Sequence, residues 1–182
     1  MDQLFLTEFV EGDSGPLIEW VNGNSERHFW QWGGGAVFRY PLNAEQVEAH
    51  VKSAVGDRPV RKLLKGTDEK GRMVGYQELN RINWENRSAV VSRVLVVNPA
   101  ERGKGYGHQL LRGLIEMAFR DMDLLTLTLE VFDFNGAALK VYERLGFVRT
   151  GTKHYTVLGE TWTAIVMQLT REDWDRHMGG RP

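Results

Sequence analysis

Residues 102–107, with the sequence Arg-Gly-Lys-Gly-Tyr-Gly, could bind a phosphate group. Three glycines alternate there, immediately before a run of apolar residues with helical spacing. Because glycine has no Cβ, such a turn lets several backbone N–H groups point at one anion. The positive end of the helix dipole adds to the attraction, as do the side chains of Arg102 and Lys104. The segment is therefore predicted to cradle a pyrophosphate.

Other phosphate-binding motifs fit this segment less well. No Gly-Lys-Ser/Thr ends it, so it is not a Walker A loop. It also lacks the Rossmann spacing Gly-x-Gly-x-x-Gly, and the acidic residue expected after a second strand is hard to place. The remaining alternative is a glycine-rich loop that merely joins a strand to a helix.

Glu130, Asn135 and Tyr142 form a second group of candidate residues. Asn135 and Tyr142 are seven positions apart, so a helix places them on one face, two turns from each other. In a group transfer, the attacking nucleophile often has to lose a proton and the leaving group has to gain one. A carboxylate, directly or through water, can do the first, and a phenol can do the second.

The elements around these residues are predicted to be strands and helices in alternation. Residues 90–97 form a largely buried strand that Asn98 and Pro99 end, and the helix after the glycines follows. Residues 124–131 alternate between apolar and polar, as in a strand with one buried face, and a helix covers residues 135–145. The other predicted strands are 4–10, 61–65, 73–80, 155–158 and 161–169, and the other predicted helices lie before Gly23 and at 44–54.

The two groups of residues resemble motifs of the GNAT superfamily of N-acetyltransferases. Arg-x-x-Gly-x-Gly, from Arg102 to Gly107, follows a strand that ends in Val-x-Pro, as in the acyl-CoA-binding motif of that family. Residues 129–147 resemble its C-terminal motif, especially in the branch that acetylates protein N-termini. The resemblance is strong from residue 73 to residue 169, and the order of the predicted elements is that of the GNAT fold.

The resemblance implies an α/β (α+β) fold with a mixed, twisted central sheet of about seven strands and about four flanking helices. We expect this single domain to cover residues 1–170, and a polar C-terminal tail that frays to cover residues 171–182.

The same resemblance implies acetyl-CoA as the co-substrate and an amine as the acceptor. In the family an Asn contacts the CoA arm and a Tyr on the same helix lies near the thioester sulfur, which implies these roles for Asn135 and Tyr142. Leu-Glu-Val at residues 129–131 resembles the ribosomal-protein alanine acetyltransferases, and this makes Glu130 the candidate general base. The other implied cofactor-binding residues are Leu95, Val96, Val97, Arg102, Gly103, Lys104, Gly105, Tyr106, Gly107 and His108.

Each candidate residue also has a purely structural interpretation. Asn135 can cap its helix, Tyr142 can pack in the core, and Glu130 can be a solvated carboxylate. Glu78, Glu85 and water are alternative bases. A non-catalytic acyl-CoA-binding module is the alternative from another functional class, although a pure binder needs neither Glu130 nor Tyr142.

The acceptor pocket is expected to involve residues 24–40 and the last hairpin. Aromatic residues surround a triple glycine in that segment, which indicates either a mobile loop or a cover over one edge of the core. The segment is poor in acidic residues, which argues mildly against a strongly cationic acceptor such as a polyamine. A peptide N-terminus and a small amine both stay open.

Composition excludes several other functions. The 182 residues carry a net charge of −1, so there is no electrostatic case for binding nucleic acid or an anionic membrane. The absence of cysteine excludes disulfides, thiolate metal sites and a cysteine nucleophile, and no cluster has metal-ligand spacing. We see no signal peptide or membrane-spanning stretch, so we expect a cytoplasmic protein, and a homodimer stays open.

Overall fold

The structure is a computed structural model that describes residues 3–97 and 103–179. Within these residues, seven strands form one sheet in the order β1-β2-β3-β4-β5-β7-β6. The strands are β1 (Phe5–Glu8), β2 (Lys62–Thr67), β3 (Met73–Asn83), β4 (Ser88–Val96), β5 (Thr126–Phe132), β6 (Val148–Val157) and β7 (Glu160–Thr170). The α-helices are α1 (Ser14–Asn22), α2 (Glu26–Gln31), α3 (Ala44–Lys52), α4 (Tyr106–Glu116), α5 (Gly136–Arg144) and α6 (Arg171–Gly179). In the described part of the chain no helix is long and apolar enough to cross a bilayer.

The sheet separates two hydrophobic cores. The neighbouring residues Leu63 and Leu64 of β2 belong to different cores and therefore lie on opposite faces of the sheet. The main core lies under α4, α5 and α6 and includes Leu79, Leu114, Leu127, Leu129 and Trp174. The N-terminal core lies under α1, α2 and α3 and includes Leu17, Phe29, Trp32, Tyr76 and Leu95.

Helix α4 crosses the sheet at two glycines. A Cβ on Gly66 would lie 2.3 Å from Leu110, and one on Gly75 would lie 2.2 Å from the same side chain. The Nε2 atom of Gln77 also donates a hydrogen bond of 2.7 Å to the carbonyl oxygen of Leu110. These contacts fix α4, and hence the glycine turn at its beginning, against β2 and β3.

The sheet agrees with the sequence prediction, which expected a mixed sheet of about seven strands. All neighbouring strands are antiparallel except β4 and β5, which are parallel and joined through α4. The helices are more numerous than the predicted four or so, because α2 and α6 were not anticipated. Strand β6 begins at Val148, seven residues before the predicted position of Tyr155.

Residues 171–179 do not fray, although the sequence predicted a polar tail that frays from residue 171 onward. Residues 171–179 form α6, and Trp174 inserts into the main core with 2% of its surface exposed. The buried indole, with Met178 packed against the same core, anchors a helix whose other residues are mostly polar, because an aromatic ring buries a large apolar area. The prediction was wrong because it was based on the average polarity of the segment and gave no weight to the apolar ring of Trp174.

Candidate active site

The sheet opens between β4 and β5. The two strands pair over only three residues each, Ser88–Val90 with Thr126–Thr128. Beyond that point β4 continues to Val96 and β5 continues to Phe132. Since no further pair joins these two strands within the described residues, a wedge-shaped opening separates their carboxyl ends.

A β-bulge in β4 shapes one side of this opening. Tyr76 pairs with Leu95 and Glu78 pairs with Ser92, so Arg93 and Val94 both lie opposite the single residue Gln77. Arg93 has a φ of +50°, in the left-handed region that an arginine rarely adopts.

The bulge reverses the direction in which β4 side chains point. Ala89 and Val91, before the bulge, lie in the main core, whereas Leu95 and Val97, after it, lie in the N-terminal core. One extra residue has this effect because side chains alternate between the two faces of a strand.

Glu78 holds the bulge in place through Arg93. The Glu78 side chain is fully buried, and its two oxygens accept hydrogen bonds from the Nε and Nη2 atoms of Arg93 at 2.6 and 2.7 Å. Such a two-point contact fixes both the position and the orientation of the guanidinium group. Further donors to the same carboxylate are Tyr76 Oη at 2.5 Å, Asn80 Nδ2 at 2.7 Å and His50 Nε2 at 3.1 Å.

Neighbouring groups complete this buried network. Arg61 Nη1 lies 3.2 Å from Nδ1 of His50, and because arginine can only donate, this assigns the imidazole proton to Nε2, which faces Glu78. Trp32 Nε1 donates to the carbonyl oxygen of Arg93 at 3.0 Å. Burial raises the pKa of Glu78, but hydrogen bonds from Arg93 and His50 and the positive charge of Arg93 outweigh it, so the pKa is strongly lowered.

The predicted phosphate cradle lies at the mouth of the opening. Gly103 and Gly105 have φ values of +77° and +85°, and Gly105 immediately precedes α4. The first N–H groups of an α-helix have no acceptor within the helix, so they point out of its N-terminus. A Cβ on Gly107 would lie 3.9 Å from Val96, which places this turn beside the end of β4. Arg102 lies outside the described residues.

Val96 lies at the end of β4, and its backbone faces the opening. Val97 donates its N–H to the carbonyl oxygen of Val74 at 2.9 Å, so the backbone of Val97 is turned toward β3. Hydrogen-bonded and non-bonded pairs alternate along an antiparallel ladder, and therefore the N–H and C=O of Val96 turn the other way. Of the predicted contacts at Leu95, Val96 and Val97, only that of Val96 has both backbone groups directed away from β3.

Glu130 lies on the opposite side of the opening, on the face of β5 that points away from the main core. On its other edge β5 pairs with β7, and there Glu130 lies opposite Val166 and Phe132 lies opposite Ala164. The carboxylate accepts a hydrogen bond of 2.6 Å from Lys153 Nζ and another from Tyr155 Oη. Desolvation raises its pKa, but the hydrogen bonds from Lys153 and Tyr155 outweigh this, so the pKa is lowered.

Tyr142 and Asn135 lie on α5, on the other face of the sheet. Tyr142 is 9% exposed and packs edge-on against Phe147, with 5.9 Å between ring centroids. Burial raises the pKa of Tyr142 to about 12, so the phenol keeps its proton at neutral pH. Asn135 caps α5 by accepting a hydrogen bond of 3.3 Å from the N–H of Ala138. Both structural interpretations of these residues are therefore correct, and neither excludes a catalytic role.

The structure argues against two of the alternative bases. Glu78 is fully buried, and five hydrogen-bond donors from Arg93, Tyr76, Asn80 and His50 occupy its two oxygens, so an amine has no access to this carboxylate. Glu85 is exposed in the turn between β3 and β4, at the end of that hairpin remote from Gly75 and Val96. Water stays the alternative to Glu130.

Sequence reasoning missed Lys153 and Tyr155, the two partners of Glu130. Residues two apart on a strand share a face, so their spacing was a usable signal. The signal was lost because β6 was predicted to begin only at Tyr155. The pairing of Glu78 with Arg93 had a signal too, since each is a charged residue within one of the predicted strands, 73–80 and 90–97.

The aromatic segment 24–40 covers an edge of the core. Phe29, Trp32 and Phe38 are buried in the N-terminal core, and the rings of Trp32 and Phe38 stack with 6.0 Å between centroids. Two of the three glycines make this packing feasible, because a Cβ on Gly34 would lie 2.4 Å from the ring of Phe29 and one on Gly35 would lie 2.1 Å from that of Trp30.

A groove of about 650 Å³ lies elsewhere, between β1, the second half of α4 and α6. Leu6, Leu64, Met117 and Trp174 contribute to its lining. It contains none of the residues that the sequence singled out, and it lies beside the end of α4 that is remote from the glycine turn.

Comparison with known proteins identifies the class of this chain. Residues 3–148 match the model of the acetyltransferase (GNAT) domain family. The chain therefore belongs to the GNAT acetyltransferases, and it is an acetyl-CoA-dependent N-acetyltransferase that acts on an amine.

Three relatives indicate the range of activities. An aminoglycoside N(6′)-acetyltransferase type 1 of Klebsiella pneumoniae is 28% identical over 184 residues, which cover 96% of this chain and 87% of the relative. A spermidine N(1)-acetyltransferase of Vibrio cholerae is 25% identical over 150 residues, which cover 82% of this chain and 81% of the relative. The N-alpha-acetyltransferase RimI of Mycobacterium tuberculosis is 33% identical, but over only 52% of this chain and 58% of the relative.

A solved structure agrees with the fold. Spermidine N-acetyltransferase from Vibrio cholerae, in complex with CoA and spermine, aligns with a TM-score of 0.80 at 22% sequence identity. The alignment covers 94% of this chain and 98% of that one. The GNAT expectation is thereby confirmed, whereas the comparisons do not single out the ribosomal-protein branch.

The buried pair gives a first prediction. Replacing Arg93 by Met leaves the Glu78 carboxylate without its main counterion, so the free energy of unfolding at pH 7 should fall by about 3–5 kcal/mol in denaturant titrations. The matched control Arg149→Met removes an exposed partner of Glu143 and should change stability little.

The loss should also depend on pH. The pKa of Glu78 is lower in the native protein than in the unfolded chain, where it is about 4.3. Its ionised carboxylate therefore stabilises the native state fully above the unfolded-state pKa, and this stabilisation is lost as the pH falls toward the native-state pKa. In the variant the pKa of the desolvated carboxyl is raised, so the deficit should shrink on acidification. A deficit that is small at pH 7, or that grows as the pH falls, would contradict this account of the network.

Proposed function

We propose that the chain transfers the acetyl group of acetyl-CoA to the primary amine of a small molecule, which enters between α2 and the hairpin of β6 and β7. The opening between β4 and β5 carries this proposal, because it has a glycine turn at its mouth and Glu130 on its other side. The relatives that cover most of the chain support a small amine, since their names specify aminoglycosides and spermidine. A protein N-terminus, suggested by residues 129–131, has support from a relative over only about half of the chain.

The residues around the turn suit a pyrophosphate. The left-handed Gly103 and Gly105 and the N-terminus of α4 would hold it, with the charge of Lys104 beside them. Val96 would offer its N–H and C=O to the pantetheine arm, much as an added strand would. When bound, acetyl-CoA supplies an activated acyl group as a thioester.

Glu130 and Tyr142 would then move protons on opposite faces of β5. As the amine nitrogen bonds to the acyl carbon, Glu130 accepts the proton that the nitrogen loses, directly or through a water molecule. As the carbon–sulfur bond breaks, Tyr142 gives its proton to the sulfur. One proton leaves the amine and one reaches the thiol, so charge and atoms balance, and solvent restores both side chains.

The acceptor class can be tested by turnover. We expect purified protein to release free CoA thiol with small primary amines several-fold faster than with peptides of the same amine concentration. A protein that acetylates peptide N-termini and ignores every small amine would reverse this assignment.

The glycine turn can be tested by replacing Gly105 with Val. A side chain there would enter the space needed for phosphate and would strain a residue with positive φ, so acetyl-CoA should no longer raise the melting temperature. Gly71→Val is the matched control, because Gly71 has a φ of +75° in the turn between β2 and β3, with nothing near its Cβ position. Both variants should be less stable, but only Gly71→Val should keep the stabilisation by acetyl-CoA.

Glu130→Gln tests the base. The variant should keep its affinity for acetyl-CoA and lose rate from about pH 5 upward, where the lowered pKa keeps Glu130 ionised in the native enzyme. The measurement is kcat against pH. Unchanged turnover at every pH would assign the role to water.

Tyr142→Phe tests the acid without disturbing the packing. We expect kcat to fall on the order of 10²-fold while acetyl-CoA affinity stays nearly constant. Tyr142→Ala should show the same loss and should also reduce stability by about 3 kcal/mol, because the ring is buried. A fully active Tyr142→Phe enzyme would mean that the ring is needed only for packing.

A further inference from the structure

Arg27 of α2 reaches across to the hairpin of β6 and β7. Its guanidinium carbon lies 4.7 Å from the centroid of the Trp162 ring, and its Nη1 atom lies 2.8 Å from Oε2 of Glu160. The indole Nε1 of Trp162 donates to the same Oε2 atom at 3.2 Å. An aromatic face and a carboxylate therefore hold one cation between them.

The two groups that attract the cation are fixed by the hairpin. Trp162 is 3% exposed, and its ring meets Phe132 and Phe134 edge-on, with centroids 4.8 and 5.1 Å apart. Its N–H in turn orients the carboxylate of Glu160. The cation, by contrast, belongs to a separate short helix 133 residues away in the chain.

The contact of Arg27 with Glu160 is of a kind that exchanges readily. The two side chains are 51% and 57% exposed, and ion pairs with such exposure contribute little to stability. Another cation of the right shape can therefore take the place of Arg27 on the ring and the carboxylate at little cost.

This site lies on the same face of the sheet as Glu130. Glu130 pairs with Val166, and Trp162 lies four residues further along β7, which is about 13 Å at the usual rise of a strand. Tyr155 connects the two positions, since its hydroxyl bonds to Glu130 and its backbone pairs with Trp162.

We infer that Trp162 and Glu160 form a subsite for a second positive group of the acceptor, and that Arg27 occupies this subsite when no acceptor is bound. The inference rests on the proposed function and specifies its substrate class as an elongated molecule with two ammonium groups. It revises the expectation drawn from segment 24–40, because the acidic group comes from the hairpin and not from that segment.

Linear α,ω-diamines and the amino alcohols of equal length test the subsite. Wild type should show a lower KM for diamines, and the preference should be greatest at one chain length. Glu160→Gln should raise the KM for diamines about 3- to 10-fold and leave amino alcohols unchanged. Arg27→Gln should lower the KM for diamines, because it removes the internal competitor. Arg176→Gln, which removes two exposed ion pairs on α6, is the control and should change neither the KM for diamines nor that for amino alcohols.

Calorimetric titration of the CoA-loaded protein with the same compounds gives the comparison without turnover. The subsite would be overturned if Glu160→Gln and Arg27→Gln each changed the affinity for diamines and the affinity for amino alcohols by the same factor. This outcome can be read whether or not any linear amine is acetylated. A preference for ω-amino carboxylates that is lost in Arg27→Gln would also overturn it, because Arg27 would then be the binding group. If small amines are acetylated with no preference for a second charge, the subsite fails while the proposed function stands.

Discussion

The buried contact between Glu78 and Arg93 is the constraint on which the geometry of the opening depends. It stabilises an arginine with left-handed backbone at the bulge of β4, and burial of a charge pair is tolerable only because five hydrogen bonds satisfy the carboxylate. Because of the bulge, the side chains of Leu95 and Val97 point into the N-terminal core. The backbone of Val96 faces the opening between β4 and β5. Without the inserted residue, the last part of β4 would present the opposite set of side chains to each face.

The two faces of the sheet beside the opening are chemically different. Glu130 is ionised and lies on the face that α2 and the last hairpin border, whereas Tyr142 is protonated and buried on the face of α5. Each state follows from the surroundings of the residue: Lys153 and Tyr155 stabilise the carboxylate, and desolvation stabilises the neutral phenol. A thioester between the faces would therefore meet a proton acceptor on the amine side and a donor on the sulfur side.

The features that the sequence predicted well are encoded by neighbouring residues. Alternating glycines before an apolar helix, the alternation along β5 and the cap at Asn135 are all local patterns, and the structure contains each of them. The features that it missed depend on distant partners. The bulge needs Glu78 from another strand, α6 is anchored chiefly by the indole of Trp174, and Arg27 contacts Trp162, a residue far away in the sequence. Local periodicity carries no information about such contacts, and so only the charged residues within apolar strands hinted at them.

The central claim is that acetyl-CoA lies along Val96 and over the glycine turn, in the opening between β4 and β5. A titration of isotope-labelled protein with CoA, followed through the backbone amide chemical shifts, tests this claim most directly. We predict that the largest saturable changes occur at Val96 and at residues 103–108, with little change at Leu6 and Met117 in the groove beside α6. Largest changes in that groove, or no saturable change at the glycine turn, would contradict the account.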